Sequence, residues 1–250
     1  MSMTLCNVYN SMWYLQAVAP TFRRYSQGGN EFAYVLNSRG EAASPYGYPG
    51  IVGDPAVIRA AIGLPLFIRH RVSHQPLELG PNVHLHPTRV IPMVNPWTPE
   101  MAKAIARAQR MGIMVDYRGA SIHALRDFRE GYRRAMLAKA ASAKYMILAD
   151  NLEEWADLPW VHVFMAGGCG ALFLAGGDGW AHYHLSYCLA DHHNAAMDAI
   201  FGTAVPLLRD AGVEQIHLGG GMSTRLDDSL FRFKSRVGRV PWTVFFEEVP

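Results

Sequence analysis

The run WVHVFMAGGCGALFLAGGDGWAHYHLSYC, residues 160–188, most constrains what this chain can fold into. It holds three apolar segments of strand length, WVHVFMAG, CGALFLAG and WAHYHLSYC, parted only by glycine turns. Connections this short cannot carry the chain across a sheet to begin a parallel strand, so the three are expected to form an antiparallel meander. Helical patterns flank it. Upstream, ASIHALRDFREGYRRAMLAKAASA repeats Leu125, Phe128, Tyr132, Ala135, Met136 and Lys139 at spacings of three and four. Gly131 interrupts that helix, at a cost of about 1 kcal/mol. Downstream, Asn194 to Ala211 sets Met197, Ile200, Phe201, Ala204 and Leu208 on one broad side, with Pro206 expected to kink or divide it.

VEQIHLGGG then reads as a strand and turn, a short helix follows Asp227 or Asp228, and RVPWTVFFEEVP supplies a last strand. The order helix, three strands, helix, strand, short helix, strand makes an α/β unit with a mostly antiparallel sheet. The earlier residues are more irregular. EFAYVLNSRG and GLPLFIRHRV read as strands, and NVHLHPTRVIPM as an alternating strand broken by Pro87. A helix over residues 100–111 buries Met101, Ile105 and Ala108, and IMVDYRG is a strand and turn. A boundary near residues 112–118 is expected to separate a reduced α/β half, 1–115, from the regular unit, 116–250.

Half of the residues are hydrophobic, with six Trp, eleven Phe and eleven Tyr, which fits a chain with a substantial core and not a disordered one. No basic stretch precedes an apolar core at the start, and no apolar run nears the ~18 residues needed to span a bilayer. Cys6, Cys169 and Cys188 lack zinc or redox spacing and read as free buried thiols. Together these features suggest a soluble, cytoplasmic protein without integral membrane association. The net charge is only +2, but its distribution is uneven. Lys103 to Lys144 holds ten basic residues against three acids, and Ser229 to Arg239 four against none. An acidic patch, Asp150, Glu153, Glu154 and Asp157, lies between them. Either a solvated helix face or a surface that attracts a polyanion accounts for the first cluster.

The stretch HLGGGMSTRLDDSLFRFKSRVG raises the question of chemistry. Its glycines fit neither the dinucleotide pattern GxGxxG nor the triphosphate pattern GxxxxGKS. They suit a sharp turn with close backbone approach, or open backbone donors toward a ligand. Asp227 or Asp228 caps the helix that follows. Leu230, Phe233 and Val237 are expected to dock into the core, which sets Lys234 near the edge of that face with its ammonium toward a cleft. There it is either a surface lysine or a cation aimed at an oxyanion or a phosphate. His182 and His184 alternate with Tyr183 and are expected on the opposite face unless the strand bulges. His184 and His217 are minor candidates for a base. The pairs His84/His86, His182/His184 and His192/His193 lack the companions of a zinc site, so no metal is expected.

WAHYHLSY, a helix, IHLGGG and DDSLFRFKSRVG in that order resemble the C-terminal acyltransferase domain of FemABX-like proteins, a branch of the Gcn5-related N-acetyltransferase fold. With SPYGYPG, FIRHRV, the basic helix and the meander, the resemblance covers most of the chain. It implies an aminoacyltransferase that moves an amino acid from aminoacyl-tRNA to an amine, with no cofactor beyond that donor. The chain's scale is similar to that of the antibiotic-pathway members, among them the alanyl-tRNA-dependent transferases of uridyl peptide biosynthesis. The acceptor then implied is a peptide amine, free or on a carrier protein. By the same resemblance Lys234 and Tyr183 are expected to be catalytic, with Tyr46, Arg69 and Phe233 at the substrate. The residues themselves add Tyr48, Arg232, His184 and His217 as candidates for substrate contact, and the basic tracts add Arg126, Arg129, Arg133 and Arg236 as candidates for tRNA contact. Tyr46, Arg69, Tyr183 and Lys234 are expected to line one cavity, with residues 1–115 as the acceptor side.

An activated ester needs only a positioned neutral amine and a charge for the oxyanion, so transfer by direct attack in a ternary complex is expected. The alternatives are an acyl-CoA-dependent N-acyltransferase, a peptidoglycan bridge enzyme and a nonenzymatic RNA-binding module. Against acyl-CoA, YCLADHHNAAMDAI after the HYHLS strand has no glycine to cradle a pyrophosphate.

Overall fold

The computed structural model describes residues 12–19, 21–46, 51–70, 83–142, 145–146, 149–177, 179–189 and 194–249. In chain order the elements are α1 (Met12–Val18), β1 (Arg23–Gln27), β2 (Asn30–Leu36), β3 (Ala42–Ala43), β4 (Ile51–Val52), α2 (Pro55–Ile62), β5 (Leu66–His70) and β6 (Val83–Pro92). There follow α3 (Pro99–Arg110), β7 (Asp116–Tyr117), α4 (Ile122–Ala138), a 3-10 turn at Leu152–Trp155, and the meander β8 (Val161–Ala166), β9 (Cys169–Ala175) and β10 (Trp180–Cys188). The chain ends with α5 (Asn194–Asp210), β11 (Gln215–Gly220), α6 (Ser229–Val237) and β12 (Val240–Val249).

The strands join in the order β1-β2-β3-β5-β12-β6-β11-β10-β9-β8-β7, with β4 beside β2. The pairs are antiparallel except β10–β11 and β3–β5. The meander is as expected, and the mixed α/β class with it. The last strand, β12, inserts between β5 and β6, so residues on both sides of position 115 share one sheet.

Beside a small core of Phe32, Ile58, Leu66 and Ile68, two larger ones sit on opposite faces of this sheet. One packs α1, α4 and the 3-10 turn on the meander, through Tyr14, Phe128, Tyr132, Trp155 and Leu185. The other packs α3, α5 and α6 on it, through Met101, Phe173, Tyr183, Phe201 and Val237. Burying a large apolar side chain stabilises by roughly 1.5–3 kcal/mol, so these faces fix the register of the strands. The helices begin where their sequences say. Thr98 accepts from the Met101 N–H, and Ser121 from that of Ala124.

Three local expectations fail. Pro206 lies inside α5, which runs unbroken from Asn194 to Asp210. Pro87 does not break β6 either. It sits one residue outside the β6–β11 pairing, which ends at Thr88↔Gly220, so its missing N–H removes no bond from that ladder. Cys169 and Cys188 are not free thiols: they face each other in the β9–β10 register and form a disulfide. Because disulfides persist in oxidising surroundings, cysteine usage no longer argues for a reducing compartment. Among the described residues no helix is long and apolar enough to cross a membrane.

Candidate functional site

Strands β10 and β11 are hydrogen-bonded only over Trp180–His182 and Gln215–His217. Beyond that pair each keeps its outer partner, β9 or β6, and the two separate. Both strands are irregular at the first unpaired step. The β10 register shifts between Tyr183 and Leu185, and the β11 register between His217 and Gly219. A bulge bends its strand and increases the local twist, so the paired irregularities open a wedge between β10 and β11. Gly219, at φ 73°, supplies the left-handed backbone that the second bulge needs.

The remaining glycines of the motif serve close packing. A Cβ on Gly220 would lie 2.7 Å from the Pro87 carbonyl oxygen, and one on Gly221 would lie 2.6 Å from Asp228 Oδ1 and 3.0 Å from Phe231 Cβ. Helix α6 can therefore press against the end of β11. Asp228 is its cap and accepts from the N–H groups of Leu230 and Phe231, and also of Met222. Burial pushes this carboxyl up, but these bonds and the Ser223 hydroxyl outweigh it and hold it below the usual range.

The buried face of α6 is Phe231, Lys234 and Val237, not Leu230, Phe233 and Val237. The difference follows from Arg89, whose guanidinium lies 5.2 Å above the Phe231 ring and donates to Ser235 Oγ, turning that side of the helix inward. Lys234 thus stands in the middle of the buried face, only 9% exposed. Its Nζ donates to the Gly220 carbonyl oxygen at 2.7 Å. Burial pulls its pKa down to about 7, with Asp228 opposing. An ammonium has three donors, so one N–H holds the backbone and two remain for a substrate oxygen.

Tyr183 faces the α5 side. Its ring packs on Phe173 and Phe201, and Phe201 in turn meets Phe233 at 6.2 Å. Its hydroxyl donates to Met197 Sδ, and burial holds the phenol above its ordinary range, with a hydrogen bond to Ser186 opposing. Phe233 is half-buried and packs against the same core, whereas Arg232 is exposed.

The opposite face of β10 carries His184, enclosed by the rings of Tyr14, Tyr46 and Trp155 at 5.4–5.7 Å. Burial lowers its pKa to about 3, so it is a neutral imidazole. His217 bonds Thr88 Oγ1 at 3.1 Å and packs edge-on against His182. Tyr46 and Tyr183 therefore belong to different cores, on either side of the sheet. The expectation that both line one cavity is not supported by this placement, since Tyr46 packs with the α1 and α4 core and Tyr183 with the α5 core. Arg69 lies in β5 opposite Phe246, its side chain outside what is described, and Tyr48 lies outside the described residues.

The arginines expected to meet tRNA have protein partners. Arg126 and Arg129 both bind Glu153, and Arg133 binds Asp150, so the acidic patch folds back onto the basic helix. Arg236 pairs with Asp198 at 2.6 Å and lies over Phe233. With Asp198 only 5% exposed, this pair pins α6 to α5. These arginines do not form the uncommitted basic face that charge counting implied.

No protein-family model matches the sequence, and a comparison with curated proteins finds no match. Solved structures do share the fold. FemX is 10% identical, with a TM-score of 0.63, covering 100% of this chain and 94% of its own. L-PGS from Bacillus licheniformis is 10% identical at 0.58, covering 91% and 84%. The C-terminal domain assigned to a lysylphosphatidylglycerol synthetase from Agrobacterium fabrum is 13% identical at 0.56, covering 94% and 85%. The chain therefore shares the mixed α/β fold of these proteins.

Proposed function

We propose that the chain is an aminoacyltransferase, taking an amino acid from aminoacyl-tRNA and joining it to the free amine of a peptide or peptidyl natural-product intermediate. The observation that carries this reading is Lys234, a buried cation held on the Gly220 carbonyl at the end of the strand that bounds the wedge. The resemblance of YHLS, HLGGG and DSLFRFK to FemABX-like proteins, and the shared fold with FemX and L-PGS, support the choice of donor.

The chemistry needs little else. The neutral acceptor amine attacks the ester carbonyl, forming the C–N bond and an oxyanion. The two free N–H groups of Lys234 stabilise that charge. Collapse breaks the C–O bond to the tRNA ribose, and the proton lost by the amine ends on the departing ribose oxygen. Orientation of an activated ester supplies much of the acceleration without a protein nucleophile. Tyr183 and Phe233, joined through Phe201, form the apolar wall against which the acyl end lies.

The test is a transfer screen with charged tRNAs and small peptide amines, bare and carrier-bound. Transfer abolished by ribonuclease and by Lys234→Ala is the expected result. Transfer from acyl-CoA without RNA would replace the donor, and tRNA binding without any transfer would make the chain an RNA-binding module. A soluble location in the cytoplasm belongs to the same proposal.

A further inference from the structure

Gly131 is poorly suited to the middle of α4, where it costs about 1 kcal/mol against alanine. Its neighbour explains it. A Cβ at Gly131 would overlap the hydroxyl and ring of Tyr187, and a Cβ at Gly170 would lie 2.5 Å from Cε1 of the same ring. The phenol is threaded between a helix and a strand, each with a glycine where it passes, and is only 7% exposed. Its ring is buried, while its hydroxyl reaches the wall of an open cavity and makes no hydrogen bond among the described residues.

Tyr187 forms part of the wall of a cavity of about 490 Å³ between α4 and the β8–β9 hairpin. Asp127, Glu130 and Arg134 of α4 line one side, and Met114, Met165 and Leu189 give it an apolar lip. Asp127 pairs with Arg118, which it shares with Asp116. Glu130 and Arg134 make no ion pair among the described residues. Among the described residues the cavity therefore offers one unpaired carboxylate, one unpaired guanidinium and one hydroxyl beside an apolar surface. Burial, then Asp127 and Glu130, push the Tyr187 phenol up to about 12 against the opposing Arg134, so it stays neutral and able to donate.

We propose that this cavity binds a zwitterionic α-amino acid with an aliphatic side chain. Arg134 and the Tyr187 hydroxyl take the carboxylate, Glu130 takes the ammonium, and the methionines and Leu189 take the side chain. The inference does not rest on the transfer reading above, since none of the residues assigned to transfer lines this cavity.

Calorimetric titration of the intact chain with L-leucine tests it, beside isocaproate, which lacks the ammonium, and isoamylamine, which lacks the carboxylate. L-leucine is expected to bind saturably, and each fragment about tenfold more weakly, the size of one charge-assisted contact. Tyr187→Phe and Arg134→Gln are each expected to weaken L-leucine about tenfold. Glu130→Gln should weaken L-leucine and leave isocaproate unchanged. Arg134 and Glu130 are exposed, so these two variants test the site even where Tyr187→Phe disturbs packing. No binding of L-leucine or L-methionine at millimolar concentration overturns the proposal. So does isoamylamine binding as tightly as L-leucine, or full affinity retained in Arg134→Gln and Glu130→Gln together.

Discussion

Lys234 and Tyr187 are both polar side chains at least nine-tenths buried, and both lie beside glycines: Nζ of Lys234 reaches the Gly220 carbonyl, and a Cβ on Gly131 or Gly170 would meet the Tyr187 ring. They differ in how their polar ends are treated. Lys234 reaches a backbone carbonyl within its own corner, and its glycines stand contiguous in HLGGG, a few residues before the helix that carries it. Tyr187 ends at a cavity wall with no bond among the described residues, and its glycines come from a helix and a strand nearly 40 residues apart, counted as Gly131 to Gly170. A satisfied cation in a local corner is built to be held for use. A donor left open at a cavity wall is built to be completed from outside.

The sharpest way to break this comparison is to remove the cation. Lys234→Ala is expected to lower kcat by roughly 10²–10³, the size of one lost oxyanion donor, in the transfer assay. A loss of binding with kcat preserved would instead make Lys234 an anchoring group. The pH dependence refines the point. A pKa of about 7 means the ammonium is lost as pH rises through neutrality, so kcat/KM should fall above about pH 7. The acceptor amine must be neutral, which gives the profile its rising acid limb. Lys234→Arg keeps its charge throughout, and its alkaline limb should vanish even where the absolute rate is lower.

The second comparison partner is tested through packing. Gly131→Ala gains helix propensity of about 1 kcal/mol, but overpacking against Tyr187 costs typically 1–3 kcal/mol. A net loss of about 1 kcal/mol is therefore expected by denaturant titration. In the background of Tyr187→Ala the same change should turn stabilising, and this reversal separates a steric cause from a backbone one. Equal effects in both backgrounds would mean that the glycine does not serve the phenol.

These two sites also mark how far the sequence could be read. The meander, the faces of α4 and α3 and the cap at Asp228 follow from period and spacing alone, because each depends on neighbours within a few residues. The bulges at His184 and Leu218 do not, since a strand's irregularity is set by what its partners on the other side require. Missing them leaves the wedge invisible, and with it the separation of Tyr46 from Tyr183. The face of α6 is not legible from spacing because Phe231, not Phe233, has Arg89 above it, a contact across more than a hundred residues. The disulfide escaped for the same reason: 19 residues part Cys169 from Cys188, and only the β9–β10 register brings them opposite. For Tyr187 a signal was present, an interior glycine in the clearest helix beside Glu130 and Arg134 at helical spacing. It reads as a defect until the ring it accommodates is seen.

Helix α4 carries both the cavity side and the arginine side, and the smallest expected effect concerns the latter. Glu153 holds Arg126 at 3.2 Å and Arg129 at 2.8 Å, with all three side chains partly exposed. Exposed pairs of this kind contribute about 0–1 kcal/mol each, so Glu153→Gln should change the melting midpoint little. It frees two guanidinium groups, however. If this face meets the tRNA backbone, affinity for tRNA rises and its dependence on salt steepens by about one to two phosphate contacts. Binding measured across a salt series reads both quantities. An unchanged slope would take the arginine side out of the tRNA surface and leave Arg126, Arg129 and Arg133 as the clasp that ties the 150–154 segment to α4, with the two sides of one helix then serving structure on one and a ligand on the other.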